Sequence, residues 1–381
     1  MATATANNPV NTRINSASRT WIDANLNYKA DCDLRNTGVN GECGALSAPL
    51  GIPNIVTHWD PNILNAWGTR PSDDEVLLGL QQQVSERLML DLQWTWHSFG
   101  NLFATQYRAT PASSFDSFCV TAPSDSRLPS GGGNQICGYT DYKPEAFGLR
   151  PDNLVAGTKS FGDVTDLYTG FDITATTRLG NGGQASGGVS VGRERTDFCN
   201  IASLAQIGTN TDTTAGKILL DNYTGNTINN AARTATAYPS SLYCAVAPPY
   251  KGDWKALVSY PLAWGINVSA TWQNRVGPQI LANRTVAALP NTLGRAPTVA
   301  SLTAALIPPG TMFSDRLNQV DARIAKSFKV GHGRIQGTVS AFNLLNANPP
   351  LTLNYTYGPS WLTPLKVLQG RLVKFGVQVD Y

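Results

Sequence analysis

The chain has 381 residues, of which 14% are charged, and its formal net charge is +3. Soluble domains carry roughly 25% charged residues, so this chain has few. It is rich in Gly (35), Tyr (13) and Trp (9), a composition that suits many strands, turns and aromatic belts. The small net charge and the lack of Lys/Arg runs argue against nucleic-acid binding. No apolar stretch approaches the ~20 residues of a membrane-spanning helix. The N-terminus has neither a basic region nor an apolar core, so no signal peptide is predicted.

Residues 1–73 show no sustained hydrophobic period, which predicts a long loop region, extracellular if the protein is a barrel. Tyr28 stands where a calcium-binding EF-hand has Gly, and Leu34 stands where it has a bidentate Glu. We therefore keep two hypotheses, a calcium site and an Asx-rich turn tied down by Cys32 and Cys43. The oxygen-bearing side chains with calcium-loop spacing are Asp23, Asn25, Asn27, Asp31 and Asp33.

Nine later stretches alternate between apolar and polar residues, the pattern of strands with one apolar and one polar face. The second stretch has Trp94 and Trp96 on its apolar parity, a position that suits a membrane interface or the core of a sandwich. The nine stretches are residues 76–84, 88–96, 167–179, 185–191, 254–260, 266–272, 320–328, 335–341 and 373–381.

Short turns alternate with long connections between these stretches. Four hairpins close through short turns, whereas residues 99–164, 196–253, 277–317 and 345–370 form long connections. This is the pattern of outer-membrane barrels, which have short periplasmic turns and long extracellular loops. A closed barrel also removes the free apolar strand edge that invites aggregation. We therefore predict an all-β fold, an antiparallel transmembrane β-barrel segment of about nine long strands. Because single-chain bacterial barrels usually have an even number of strands, we expect the barrel to be incomplete in this chain.

The six cysteines all fall in the long segments, and none has a CxxC spacing, which argues against metal ligation. Their even number favours disulfides and an oxidising compartment. Six cysteines allow 15 connectivities, so pairing of sequence neighbours is a hypothesis among several. The disulfide candidates are Cys32, Cys43, Cys119, Cys137, Cys199 and Cys244.

Charged residues on the polar parity are candidates for the inner wall of a barrel. They would line a solute path or hold a plug, or they would pair with one another and stabilise the wall. In the last connection, Tyr355, Tyr357 and Trp361 would contact a ligand or anchor the protein at the membrane interface. The lumen-facing candidates are Asp166, Asp172, Arg178, Asp321, Arg323, Arg334 and Lys374.

The C-terminal part of the chain resembles the end of TonB-dependent outer-membrane receptors, and within that family the Oar-like receptors with a carboxypeptidase-regulatory-like domain. The resemblance is carried by VDARIAKSFKVGHGRIQGTVSAFNLLNANPPLTLNYTYGPSW at 320–361 and LQGRLVKFGVQVDY at 368–381. The segments WDPNILNAWGTRP at 59–71 and GTMFSDRLNQVD at 310–321 are similar to loop-to-strand junctions of the family. By this resemblance, residues 74–381 correspond to the C-terminal part of the receptor barrel.

The resemblance implies a 22-stranded barrel in the outer membrane of a bacterial cell, with an N-terminal plug whose TonB box contacts the TonB complex. This sequence shows no plug and no TonB box, so contact with TonB is expected only through a part absent here. The expected partners are outer-membrane lipid, the barrel-assembly machinery and an unidentified solute. The residues that match the assembly signal of the family are Val373, Phe375, Val377, Val379 and Tyr381.

The sequence offers no signature of an enzyme. His58, His97 and His332 fall in different predicted regions, and no nucleophile elbow or carboxylate pair is present. We therefore predict a barrel segment of a transporter that takes up a scarce solute, with no cofactor other than a possible calcium ion. The alternative is a secreted or surface β-protein with disulfide-stapled loops that acts in binding or adhesion.

Overall fold

The computed structural model describes residues 13–48, 50–52, 57–146, 152–202, 204, 207–208, 243–286, 293–295 and 302–381. The chain divides into two units, one of residues 1–58 and 150–153 and one of residues 59–149 and 154–381. In the described part of the first unit, the Cys32–Cys43 disulfide and a bridge between Trp21 and Cys43 hold an irregular loop. The second unit contains the long strands.

Nine long strands, numbered here in chain order, form one antiparallel sheet in the described part of the second unit. Each strand pairs with the next one along the chain, from β1 to β9. The nine predicted strands and their antiparallel order are thus confirmed, and the described residues form an open sheet in which β1 and β9 each have one neighbour among these nine. The strands are β1 (Ser72–Gln83), β2 (Leu88–Gly100), β3 (Thr165–Arg178), β4 (Gln184–Asp197), β5 (Lys251–Pro261), β6 (Ile266–Arg275), β7 (Leu317–Val330), β8 (Gly333–Phe342) and β9 (Leu372–Asp380).

The turns between strands are short at one end of the sheet and long at the other. Residues 84–87, 179–183, 262–265 and 331–332 make the short turns, and residues 101–164, 198–250, 276–316 and 343–371 make the long connections. Two short turns contain a non-glycine residue with positive φ, Asn181 at 57° and Trp264 at 59°. The separation of turns and connections agrees with the sequence prediction, and it defines a turn end and a loop end of the sheet.

The long connections are not the featureless loops that the sequence analysis expects, because short strands and helical turns run through them. No helix among the described residues is long and apolar enough to cross a membrane. The short strands of these connections are Phe103–Tyr107, Phe115–Thr121, Gln135–Tyr142, Asn153–Gly157, Ile207–Gly208, Ala245–Val246, Asn283–Val286, Leu302–Ala305, Pro350–Leu353 and Pro364–Val367, and their helical segments are the α-helix Cys199–Ala202 and the 3-10 turns Ala112–Ser114, Pro129–Gly131, Pro144–Ala146 and Thr158–Ser160. A short strand, Thr57–Trp59, and an α-helix, Pro61–Asn65, precede β1, and the 3-10 turns Gly180–Gly182 and Ala263–Gly265 lie in short turns.

A hydrophobic core lies in these connections and not on the long sheet. Ile136, Ile307 and Trp361 come from three different connections and are buried together. Three disulfides, Cys32–Cys43, Cys119–Cys137 and Cys199–Cys244, join cysteines that are neighbours in sequence, as the pairing hypothesis proposed. The long connections therefore fold with one another at the loop end of the sheet.

Candidate functional site on the polar face of the sheet

The strand register brings residues of one parity together on a single face across all nine strands. Leu92 pairs with Leu80 on one side and with Ile173 on the other, and Val339 pairs with both Ile324 and Phe375. Because side chains alternate along a strand, one face is apolar throughout and the opposite face is mostly polar. We call these the apolar face and the polar face.

All seven charged residues proposed for the inner wall lie on the polar face. Asp166 is opposite Thr196 and is only 2% exposed, whereas Arg178 is opposite Gln184 and exposed. Asp172 accepts a hydrogen bond from the hydroxyl of Ser190 on the next strand. The four residues from β7, β8 and β9 lie on the same face.

Asp321 anchors a chain of side-chain amides on β6 and β7. The Gln273 amide donates to Gln319 Oε1 at 3.0 Å, and the Gln319 amide donates to Asp321 Oδ1 at 2.9 Å. The backbone N–H of Asn343 also donates to Asp321 Oδ1, at 2.7 Å. Because the carboxylate accepts donors from its own strand and from the bend after β8, it holds the start of the last connection against β7.

The three remaining cations among the candidates are exposed. Arg323 lies opposite Ser269 and Ser340, Lys374 lies opposite Ser340, and Arg334 donates to the Ser327 hydroxyl at 2.7 Å. Asp166 aside, six candidates remain. Among the described residues, no ion pair joins any two of these six. The pairing alternative raised by the sequence analysis is therefore not the arrangement seen for those six.

A hollow of about 530 Å³ opens on the polar face over β4, β5 and β6. Asp253, Lys255 and Gln273 line it, together with the hydroxyls of Ser190 and Thr271. The sequence analysis did not select these residues, although they share the polar parity with those it did select. The hollow offers both charges and several hydroxyl and amide groups, so its chemistry suits a polar solute or a polar protein segment.

Among the described residues, the large side chains of the apolar face are mostly exposed. Phe375 and Val377 are each 76% exposed, and Ile324 is 54% exposed. The C-terminal residues Val373, Phe375, Val377, Val379 and Tyr381 all lie on this face and are exposed. Their role as an assembly signal stays a prediction, and their position at the last strand, on an open edge, is compatible with it.

We call the described parts of the four long connections, which pack together at the loop end, the loop assembly. Polar contacts stabilise it, as does its apolar core. Arg295 donates to Asp116 at 2.9 Å and to Asp141 at 2.5 Å, and the Asp141 side chain is 3% exposed. Tyr357 donates its hydroxyl to Asp125 at 2.9 Å. These contacts link residues of the first and third long connections, and of the first and fourth.

Asp125 also accepts hydrogen bonds from Arg127, and these, more than any other contact, hold the pKa of Asp125 far below its usual range. The Arg127 guanidinium lies 5.0 Å from the ring centre of Trp361. Trp361 itself is 2% exposed and donates its indole N–H to the carbonyl of Leu281 at 2.8 Å. The proposed ligand-contacting role of Trp361 is therefore wrong, because its ring is packed in the core of the loop assembly and its polar atom is already satisfied.

The Asx-rich loop of the first unit is internally hydrogen-bonded. Asp31 accepts from the amides of Asn25 at 2.6 Å and Asn27 at 2.7 Å, and Asp23 accepts from the backbone N–H of Asn27 and Tyr28. Asp33 accepts from the backbone of Arg35 instead. This pattern is that of consecutive Asx turns, and among the described residues no three acidic, His or Cys side chains gather as metal ligands. Calcium binding stays a prediction.

Glu42 organises the same loop. Its carboxylate accepts from the Trp21 indole at 3.2 Å and from three backbone N–H groups between residues 24 and 31. The hydrogen bond from Trp21 contributes most to lowering the pKa of Glu42. The sequence analysis missed Glu42 because its acceptor role depends on partners up to 21 residues away.

The histidines do not meet. His58 lies 3.6 Å from Asp152 in the first unit, His97 contacts Asp73 near the loop end of β1 and β2, and His332 occupies the short turn before β8. His97 and Asp73 lie on neighbouring strands, and their contact joins β1 to β2.

Comparison with protein families finds no match, and no curated protein matches. Among solved structures, the chain is similar to the outer membrane transporter YddB from Escherichia coli, with 12% identity over 81% of this chain and a TM-score of 0.38. The chain corresponds to 32% of the length of that transporter. A likeness at this level assigns neither a family nor an activity, so the functional argument below is built on the faces of the sheet.

Proposed function

We propose that the nine-stranded sheet is part of the wall of an outer-membrane β-barrel of the TonB-dependent receptor type, which takes part in energy-coupled uptake of a solute. The supporting observation is the exposed apolar face, which continues across all nine strands. Monomeric soluble proteins rarely expose contiguous apolar patches larger than a few hundred Å². Lipid covers such a face without any further protein layer.

Aromatic side chains border this face near both ends, as in membrane barrels. Towards the loop end lie Trp94, Trp254 and Trp272, and towards the turn end lie Phe328 and Tyr381. Aliphatic and small residues make up most of the band between them, which also contains Phe375 and Lys326. From Trp254 to the turn end of β5 at Pro261, the strand covers about 23 Å at roughly 3.3 Å per residue. With a tilt of about 40°, this length corresponds to about 18 Å of the ~25 Å apolar height of such barrels.

The polar face would then line the interior. Its exposed Arg323, Arg334 and Lys374 and the hollow beside Asp253 and Lys255 suit contact with a hydrated solute or with a plug. Energy coupling and dependence on TonB are supported only by the sequence resemblance at the C-terminus. They are the part of the proposal that needs a plug outside the sheet.

Fractionation after export tests this proposal. The full chain, expressed with a periplasmic signal, is expected in the outer-membrane fraction, to resist carbonate extraction and to need detergent for solubility. A monomer that is soluble in buffer, with its three disulfides formed, would contradict the proposal. That outcome would support the second candidate, a secreted binding protein, which the disulfide-stapled and well-packed loop assembly favours.

A further inference from the structure

Three arginines stand on the apolar face at its loop end, beside β5. Arg193 and Arg195 lie on β4, two residues apart on the same face, and Arg316 lies just before β7. Charged side chains on the lipid side of a membrane strand are costly near the midplane but cost little at the interface. Three arginines at the loop end are therefore compatible with lipid contact over the rest of this face.

Neighbouring groups fix two of these guanidinium groups without neutralising them. Arg193 lies over the ring of Tyr250, 4.4 Å from its centre. Arg316 donates to the carbonyl of Gly252 and to the side chain of Asn274, both of which are uncharged. In the described part of the chain, no ion pair involves Arg193, Arg195 or Arg316. The acidic residue on the same face of β4 is Asp197, which accepts the backbone N–H of Cys199 at 3.0 Å.

The two held arginines contact the same short stretch of chain at the start of β5. Arg193 lies against Tyr250, and Arg316 donates to the carbonyl of Gly252, two residues further along. The neighbouring residue on the same face of β5 is Trp254, which lies opposite Val189. Positive charge and hydrogen-bond donors are therefore gathered at one place on a face whose other side chains are mostly apolar.

We propose that this arginine cluster binds the phosphate of an anionic lipid headgroup in the membrane leaflet on the loop side. The inference rests on the proposed function, since it requires the apolar face to be covered by lipid. Guanidinium groups match phosphate oxygens in planar, charge-assisted pairs. The acyl chains of the same lipid would pass along the aliphatic band below Trp254.

The test is native mass spectrometry of the detergent-solubilised full chain, titrated with phosphatidylglycerol, with zwitterionic phosphatidylcholine and with inorganic phosphate. Phosphatidylglycerol is expected to bind in preference to phosphatidylcholine. The R193Q/R316Q variant is expected to bind it about 30-fold more weakly, because each basic residue near an anionic surface contributes about a fivefold effect. Raising the salt concentration is expected to weaken binding to the wild-type chain.

Lys326 provides the matched control. It also lies on the apolar face, and its ammonium group lies over the ring of Phe328 at 5.2 Å, but it stands near the turn end. Lys326→Gln should leave phosphatidylglycerol binding unchanged. Arg195→Gln, which alters an exposed side chain outside the Gly252 contacts, should weaken binding severalfold without disturbing the fold.

Equal binding by wild type and R193Q/R316Q would overturn the inference, as would an equal loss in Lys326→Gln. Binding of inorganic phosphate with the same arginine dependence and no lipid preference would replace the lipid site with a simple anion site. If the chain is soluble without detergent, the proposed function fails as well. A chain that inserts into the outer membrane but shows no arginine-dependent binding would remove the lipid inference alone.

Discussion

Asp125 shows how one carboxylate couples two long connections. It accepts donors from Arg127, in its own connection, and from Tyr357, in the last one. These donors lower its pKa, so the folded state holds the ionised form more strongly than the unfolded chain does. The stabilisation is therefore complete above the ordinary carboxyl pKa and is lost as the pH falls below that value towards the depressed one.

We predict that Asp125→Asn lowers the melting temperature of the loop assembly at pH 7 and that the difference from wild type shrinks steadily below about pH 4. The melting temperatures of both proteins in detergent, followed by near-UV circular dichroism between pH 7 and pH 2, test this. A difference that is the same at pH 7 and pH 2 would show that Asp125 acts through packing and not through its charge.

Ile136 lies in the centre of the loop core, with none of its surface exposed. Ile136→Ala removes buried methylene and methyl groups and leaves a cavity, which costs about 2–5 kcal/mol in well-packed cores. Urea denaturation of the loop assembly measures this loss. Leu365→Ala is the control, because Leu365 is exposed and its truncation is expected to change stability by no more than about 0.5 kcal/mol.

At the scale of elements, the two faces of the sheet predict opposite responses to a new charge. Ile324→Arg on the apolar face of β7 should cost about 2–4 kcal/mol if lipid covers that face. Thr271→Arg on the polar face of β6 should be tolerated, because Thr271 pairs with Asp321 across the strands. The fraction inserted into the outer membrane and the urea midpoint of each variant provide the comparison.

The same pair of variants separates the two candidate functions. In a water-soluble protein Ile324 is simply an exposed side chain, and Ile324→Arg would change stability little and improve solubility. An Ile324→Arg protein as stable as Thr271→Arg would therefore argue against lipid contact.

The Cys119–Cys137 disulfide joins Phe115–Thr121 to Gln135–Tyr142, which pair as strands beside the loop core. Closing a loop of this length stabilises a folded state by about 3 kcal/mol. We predict that C119S/C137S lowers the urea midpoint of the loop assembly. C32S/C43S, which removes the bridge of the first unit, should leave that midpoint unchanged.

For the whole molecule, local periodicity was sufficient to predict the long strands. Alternation of period two marks each of them, from Val76 to Tyr381, and the register follows because short turns leave little freedom to slip. The polar-face position of Asp321 and Arg323 follows from the same alternation. Neighbouring cysteines in one connection also indicated their pairing.

The loop assembly was not predictable in the same way. Ile136, Ile307 and Trp361 are more than 50 residues apart from one another in sequence, and no local pattern links them. Turn-forming Gly and Pro residues interrupt the short strands of the connections, so the alternation is too brief to detect. For the same reason Trp361 was placed at a ligand or membrane surface, whereas tertiary packing buries it.

The three disulfides span 11, 18 and 45 residues, and each joins a cysteine to the next one along the chain. In a chain exported N-terminus first, the second cysteine of each of these pairs meets its native partner as the last thiol to have emerged. Oxidation in order of emergence therefore yields the native bridges directly. Maturation of this protein is expected to depend on a thiol oxidase and to proceed at full yield in cells that lack a disulfide isomerase.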